Sequence, residues 1–525
     1  MPNNVRHGKR FYKQMSLEVA VRNPERFEGF LRTFAQFDGQ VLDDTTILEM
    51  YSQLFVDGVV ESSDLNDRQR TNRDFLKSWI ITTRSHNNEW GFPTGYQAAF
   101  VRYLKSLSEF GFIYGQYNDP FLLSPIAKAV LDKRISLSEA FAIQSMRFWR
   151  KSPYRRVLND FNFFDFIMQV ILRHPNKRLS YPQFLASLFS DNDHVDEFLN
   201  FLSDNKIGDD EEKAYYAVKR KYSGLCQHDP VHSIQTAFRD YGNTVFRVLQ
   251  LTGFITVEYN GIMLLSPNKS KLPLYQSLHD KKFTISEEAK EDELSYFKEI
   301  GSFPNDLYEI IQQNRKEVTT ITKEYDNHLP TLISTYGLTS EIIKRELLNI
   351  TNTRYSSCFW FIQPPVKFEF LLTLFAYSIY GKTFKYRPNF LYDDSGIPYS
   401  HAPGNMGDIE VFNEKLYWLI EATLIQSKNQ QINNETVNLF RHIKSKANEK
   451  FLTLVAPYVH DDTKLIFNVA TLITIMESKK INLYSKAETT REFVDGMGDN
   501  YFQLLRTNTQ GFLTQVKRTL NKVSD

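Results

Sequence analysis

Two carboxylates, Asp408 and Glu421, stand in sequence that folds them toward each other. Asp408-Ile-Glu-Val-Phe412 alternates polar and apolar residues as a half-buried strand does. Leu416-Tyr-Trp-Leu-Ile420 is aromatic and branched, which suits a second strand. Asn413-Glu414-Lys415 is the turn between them, and a hairpin pivoting between Glu414 and Lys415 sets position 408 opposite 421. Their Cβ atoms would lie roughly 5 Å apart on one face. Two bare carboxylates at that range repel by about 3 kcal/mol at an effective dielectric near 20. A divalent cation between them removes the repulsion, and oxygen-only ligands suit Mg²⁺. Opposed acids on a hairpin also sit in water or meet Lys and Arg of a neighbouring strand. The apolar Leu419-Ile420 leading into Glu421 weighs toward the cation, because an uncompensated buried charge is costly. Thr423 shares the face of Glu421. The expectation is a Mg²⁺-dependent hydrolytic centre.

Other residues with chemical potential carry less. After Pro364-Pro365 the pattern predicts a helix over 366–380, with Glu369 in its first turn. There Glu369 either compensates the helix dipole or adds a further acid to the metal site. His401 could orient a ligand. Cys226, His228 and His232 cluster within seven residues, but no partner pair with zinc spacing exists. Glycines 404 and 407 are not followed by Gly-Lys-Ser/Thr, and no Gly-x-Ser-x-Gly elbow occurs.

The elements around the acids predict an α/β arrangement: the two strands, a helix over 432–447, a buried strand over 451–457 and a helix over 462–478. The first half of the chain holds a repeat. Gly111-Phe-Ile113 precedes Phe121-Leu-Leu-Ser-Pro125, and Gly253-Phe-Ile255 precedes Met263-Leu-Leu-Ser-Pro267. Each copy reads as two strands around a polar loop, 114–120 and 258–261, behind a helix. In the first helix Phe100, Leu104, Leu107 and Phe110 form the core face, with Gln97, Arg102, Lys105 and Glu109 polar. In the second, Ile234, Phe238, Tyr241, Val245 and Leu249 do so, with Gln235, Arg239, Asn243, Arg247 and Gln250 off it. A helix followed at once by a hairpin is the end of a winged helix-turn-helix, which predicts duplex DNA as partner; many winged helices bind protein instead. Arg147-Phe-Trp-Arg-Lys-Ser-Pro-Tyr-Arg-Arg156 supplies Arg147, Arg150, Lys151, Arg155 and Arg156 with three aromatics, a mix suited to phosphate contact. Lys219-Arg-Lys221 is a weaker candidate.

The division expected is 1–135 and 136–275 as two winged-helix recognition subdomains, 276–350 as a helical linker, and 351–525 as the catalytic part. A chain of 525 residues has length for several cores. Its 63 Lys and Arg nearly cancel 62 Asp and Glu, so any surface for a polyanion must be local. With 42 Phe and 28 Tyr it is globular in composition. Only Cys226 and Cys358 occur, which suits a reduced, cytoplasmic protein. The first ten residues lack a signal peptide's apolar core, and the apolar run 370–379 is too short to span a membrane.

With these features in place, the chain resembles the AlwI-type restriction endonucleases, a family of type IIS and site-specific nicking enzymes. The matching stretches are His401-Ala-Pro-Gly-Asn405 through Asp408-Ile-Glu410, Glu421-Ala-Thr423, and Glu435 to His442. Arg239-Asp-Tyr-Gly-Asn243 through Thr252-Gly-Phe254 to Pro267-Asn-Lys269 also matches. The resemblance implies a multidomain α+β protein with a C-terminal α/β nuclease domain of the PD-(D/E)xK-like class. It implies Asp408 and Glu421 as Mg²⁺ ligands, Glu369 as an upstream acid and Glu435 as a downstream one. Gly407 stands where the family usually has proline. Thr423 stands where the general nuclease core has lysine, which leaves that role unassigned, with Lys428 a weak substitute. Second-strand cleavage would need a transient homodimer or a partner nuclease subunit. Two alternatives stay open: a strand-nicking enzyme of the same family, and a non-catalytic winged-helix regulator.

Overall fold

The computed structural model describes residues 12–60, 62, 64–65, 69–70, 72–82, 95–222, 235–259, 261–321, 325–352, 354–401, 407–425, 431, 449–478 and 482–524. The chain divides into two compact units, Met1–Thr322 and Lys323–Asp525. The boundary falls inside the stretch 276–350. Helices Leu272–Asp280, Glu293–Ile300 and Asn305–Ile321 lie in the first unit; Leu329–Thr335 and Ser340–Leu348 lie in the second. No helix among the described residues is long and apolar enough to cross a membrane.

The first unit is mostly helical, and both repeat copies fold as a helix followed by a hairpin. Helix Tyr96–Ser108 leads to strands β1 (Ile113–Tyr114) and β2 (Leu122–Leu123). Its four expected core residues are buried, and the aromatic core around them includes Phe34 and Phe141 against Phe100 and Phe110. In the second copy a π-helical turn, Gln235–Tyr241, runs into helix Gly242–Leu251, then β4 (Ile255–Tyr259) and β5 (Met263–Pro267). The repeat glycines have a common cause. Gly111 (φ 66°) and Gly253 (φ 72°) leave the helix through the left-handed region, which a side chain disfavours.

The two hairpins differ in register despite equal glycine-to-serine spacing. Ile113 pairs Leu123, whereas Ile255 pairs Pro267, two positions beyond the equivalent residue. The second ladder runs through Glu258 and Tyr259, expected as loop, and β5 gains a further partner, β3 (Leu179–Ser180), giving the order β3-β5-β4.

The second unit is built on a five-stranded mixed sheet of order β12-β11-β10-β9-β6. Its strands are β6 (Lys385–Pro388), β9 (Ile409–Phe412), β10 (Leu416–Ala422), β11 (Glu449–Ala456) and β12 (Asn482–Thr489). A small pair, β7 (Leu391–Tyr392) with β8 (Pro398–Ser400), stands apart. β6, β9 and β10 run antiparallel in succession, while β10, β11 and β12 are parallel. Parallel strands are covered on both faces, and β11 is buried from Lys450 to Ala456. On one face Tyr417, Leu419, Leu452 and Leu454 pack with Phe467 of helix Asp461–Ser478. On the other, Trp418 meets Tyr380, Phe493, Tyr501 and Phe502. Trp418 is fully buried and donates its indole N–H to Thr453 Oγ1 at 2.9 Å, so truncation there would cost about 3–5 kcal/mol.

Helix Pro364–Tyr380 supplies Tyr380 to that second face. Proline opens it, nine of its residues from Phe368 to Ala376 are buried in sequence, and Gly381 (φ 54°) closes it. β12 and the terminal helix Tyr501–Ser524 are additions to the expected element order. The expected helix over 432–447 lies outside the described residues.

Candidate active site

The β9–β10 hairpin turns where the sequence places the turn. Asn413 N–H donates to Leu416 O at 2.9 Å, and Asn413 Oδ1 accepts from the N–H groups of Lys415 (3.0 Å) and Leu416 (2.9 Å). An asparagine side chain bonding its own turn in this way fixes a two-residue loop, Glu414-Lys415. The ladder then pairs Phe412 with Tyr417 and Ile409 with Ile420. Continued by one step, it sets Asp408 across from Glu421.

Backbone N–H groups tie the two acids across the hairpin. Ala422 N–H donates to Asp408 Oδ2 at 2.7 Å, and Asp408 N–H donates to Glu421 Oε2 at 3.4 Å. Asp408 is half-buried and Glu421 is buried. They share the sheet face of Tyr417 and Glu410. Burial, then the charges of Glu410 and Glu421, pushes the Tyr417 phenol well above its ordinary pKa.

Gly407 and Asn389 complete the local fit, and neither was singled out for this role by sequence. A Cβ at 407 would stand 2.4 Å from Leu419 Cδ1 and 2.9 Å from Glu421 Oε1. The bare backbone is what lets the Glu421 carboxylate lie against this strand end. Asn389 follows β6 and donates its side-chain N–H to Gly407 O at 2.5 Å and its backbone N–H to Asp408 O at 2.8 Å. It therefore pins the approach to Asp408. Its only sequence signal is its position after Pro388, where an edge strand ends.

Glu369 is placed differently from the expectation. It lies in the second turn of its helix, not the first, so it is no dipole-compensating cap residue. It is buried, and its Oε1 is 3.3 Å from His401 Nδ1. Its neighbour Phe370 meets Phe390, just past β6, which sets Glu369 at the sheet end that carries Asp408 and Glu421. Among the described residues, however, no three His, Cys, Asp or Glu side chains are gathered as one ligand set. The structure thus brings Asp408 and Glu421 together and gives Glu369 to His401. Glu435, His442 and Lys428 lie outside the described residues, as does the Cys226–His232 cluster. Thr423 is buried; its N–H donates to Val455 O and its Oγ1 accepts from Ile425 N–H.

The expected DNA-facing residues divide sharply. Arg147 is buried and donates to Ile300 O (2.8 Å), Ser302 O (2.6 Å) and Ser302 Oγ (2.7 Å). Burial pushes its pKa down to about 10. Arg150 is 2% exposed and donates to Ser190 O and Lys13 O. Arg155 pairs with buried Glu109 at 2.9 Å, and Lys151 with Glu287 at 3.3 Å. Arg147, Arg150 and Arg155 are thus turned into the protein, whereas Lys151 is half-buried against the exposed Glu287. The arginines anchor segments from residue 13 to residue 302, because a guanidinium can satisfy several carbonyls at once. Glu109, expected on a polar face, is buried as the counter-ion.

Arg102 pairs with Glu18 at 2.8 Å, and Lys105 lines a small cavity with Tyr154 and Glu293. Arg247 is half-buried with its Nε on Asn243 Oδ1 at 2.6 Å, and burial lowers its pKa. Gln250 is buried rather than outward. Arg156 and Arg239 are exposed, the latter 3.5 Å from Glu211. Gln235 begins the π-helical turn.

Fold and site together define a mixed α+β protein with an acidic centre at the strand ends of its second unit. The family model described as AlwI restriction endonuclease matches residues 108–359 and 361–494, and the chain belongs to that family. Membership implies nuclease activity on DNA. No curated protein matches the chain. Among solved structures it is similar to the small subunit (R.BspD6I2) of the heterodimeric restriction endonuclease R.BspD6I. That match has 21% identity over 34% of this chain and 98% of the other, with a TM-score of 0.24. It is also similar to the restriction endonuclease FokI, at 12% identity over 97% of this chain and 98% of that one, with a TM-score of 0.23. For FokI bound to DNA the identity and coverage are the same and the TM-score is 0.19.

Proposed function

We propose that the chain is a Mg²⁺-dependent type II restriction endonuclease of the IIS kind. Its first unit reads a short asymmetric duplex site and its second hydrolyses a phosphodiester at a distance downstream. The observation that carries this reading is the opposed pair Asp408–Glu421. Two carboxylates are held face to face by the N–H groups of Ala422 and Asp408, with a side-chain-free residue, Gly407, against the Glu421 oxygen. Oxygen donors of this kind fit a hard divalent ion, whose other positions are commonly filled by water and substrate phosphate.

In this reading Asp408 and Glu421 hold the ion, and Glu369, supported by His401, acts from the same sheet end, with Glu435 as a further acid. The ion, when bound, supplies an activated water and stabilises the departing oxygen. Asn389 and Gly407 fix where the acids point. Helix Gly242–Leu251 with the β3-β5-β4 sheet supports a winged-helix reader, a motif whose helix commonly enters the major groove. One acid centre per chain cuts one strand. Double-strand cleavage then requires a transient homodimer or a partner nuclease subunit, and without either the chain nicks. The enzyme works in a cytoplasmic setting beside its DNA substrate.

Incubating the protein with plasmid in Mg²⁺ and in EDTA tests the reading, and run-off sequencing of the products reports site, offset and strand. Discrete Mg²⁺-dependent ends are expected. A mobility shift with no scission under any divalent ion would leave a non-catalytic DNA binder.

A further inference from the structure

Arg147, Arg150 and Arg155 of the 147–156 segment are taken up by the protein itself, which leaves only Lys151 and Arg156 of that run toward solvent and directs attention to other basic faces of the first unit. Helix Glu211–Tyr222 presents one. Its inner face, with Ala214, Tyr215, Ala217, Val218 and Tyr222, is buried. The outer face carries Lys213, Tyr216, Lys219 and Arg220, which line an open groove of about 620 Å³. Tyr216 is 59% exposed between these cations.

Helix electrostatics accounts for only part of this arrangement. Lys219, Arg220 and Lys221 in the last turn favour the negative end of the helix. Lys213 sits in the first turn, where a cation opposes the dipole and is disfavoured. Neither Lys213 nor Arg220 has an ion-pair partner among the described residues, whereas Lys221 turns away to Glu197 (3.8 Å) and the Phe201 ring. Asp209, Asp210 and Glu212 are exposed acids at the start of the helix, and Glu211 is engaged with Arg239.

We propose that this face docks on the sugar–phosphate backbone of duplex DNA. Lys213 and Arg220 are seven residues apart, about 10 Å along a helix, far enough for each to reach a separate phosphate of one strand. Tyr216 between them can donate its phenolic O–H to a phosphate or lie against a sugar. Such contacts position the duplex without reading bases. The proposal rests on the reading that the first unit binds DNA.

The test is a Lys213→Ala/Arg220→Ala double variant of the full chain, with binding to specific and unrelated duplexes measured across a salt series. The slope of log affinity against log salt should fall by about 1.8, that is about 0.9 for each lost phosphate contact. Affinity should drop roughly tenfold or more on both duplexes alike, a backbone signature. Tyr216→Phe should give a smaller loss, and Lys213→Arg/Arg220→Lys should restore the slope. Wild-type slope and affinity in the double-alanine variant would reject this face and leave the nuclease reading standing. A wild-type chain that binds no duplex would sink both.

Discussion

Two charge-rich segments of this protein look alike as functional candidates and fold to opposite ends. In the basic run 147–156 every buried charge is answered: Arg147 and Arg150 by backbone carbonyls, Arg155 by Glu109. In the 408–421 hairpin the fold sets two like charges against each other and holds them there through backbone N–H groups. A compensated buried charge stabilises a fold. Two carboxylates brought onto one sheet face offer oxygen donors to a hard cation, which makes them the better candidate mark of function.

The contrast breaks most readily at the acids. Asp408→Asn or Glu421→Gln should reduce plasmid cleavage at least about a thousandfold, ~4 kcal/mol of transition-state stabilisation. DNA binding should survive and the fold should stay intact. Loss of folding instead would make the pair structural, like the arginines. Next, Arg150→Met should lower unfolding stability by about 2 kcal/mol in urea titrations, because it takes the guanidinium from the Lys13 carbonyl and leaves that of Ser190 to Asn159 alone. A stable variant with weakened DNA binding would return the 147–156 run to the reading surface.

Gly407→Ala sharpens the picture at the site. The added methyl forces the Leu419 and Glu421 side chains aside, so kcat should fall roughly tenfold with KM little changed, and Asn389→Ala should act in the same direction. Full activity in both would mean that neither residue positions the acids. The smallest effect is expected at Glu293, whose carboxyl burial holds above its usual range, against hydrogen bonds from Gln116 and Tyr154 that lower it. A carboxyl with a raised folded-state pKa favours folding when protonated, and that contribution is lost as pH rises through the raised value. Glu293→Gln should therefore gain stability over wild type as pH climbs out of the ordinary carboxylate range, and lose that advantage below it. Parallel denaturation curves at all pH values would show Glu293 to be solvated.

The hairpin was legible because its information is local. Asn413 fixes the turn, the turn fixes the register, and strand alternation fixes the face. The helix–hairpin repeat was legible for a similar reason, through Gly111 and Gly253. The two-residue register difference between the copies was not, because β5 is also paired to β3, which lies some eighty residues earlier in the chain. β12 escaped notice because its polar residues are buried by partners from distant elements: Ser485 against Thr471 and Thr509, and Glu488 against Tyr501. Arg147 and Arg150 misled because their acceptors, Ile300, Ser302, Ser190 and Lys13, lie 40 to 155 positions away.

Taken alone, the sequence determined that a tight turn brings residues 408 and 421 face to face, and that two helices each run into a hairpin. Tertiary structure decided which charges find partners, turning Arg147, Arg150 and Arg155 inward, seating Glu369 on His401 and leaving the outer face of helix Glu211–Tyr222 to solvent. The physical reason is range: turn and strand geometry act over a few bonds, whereas the burial of a charge depends on groups that only the completed fold brings within reach.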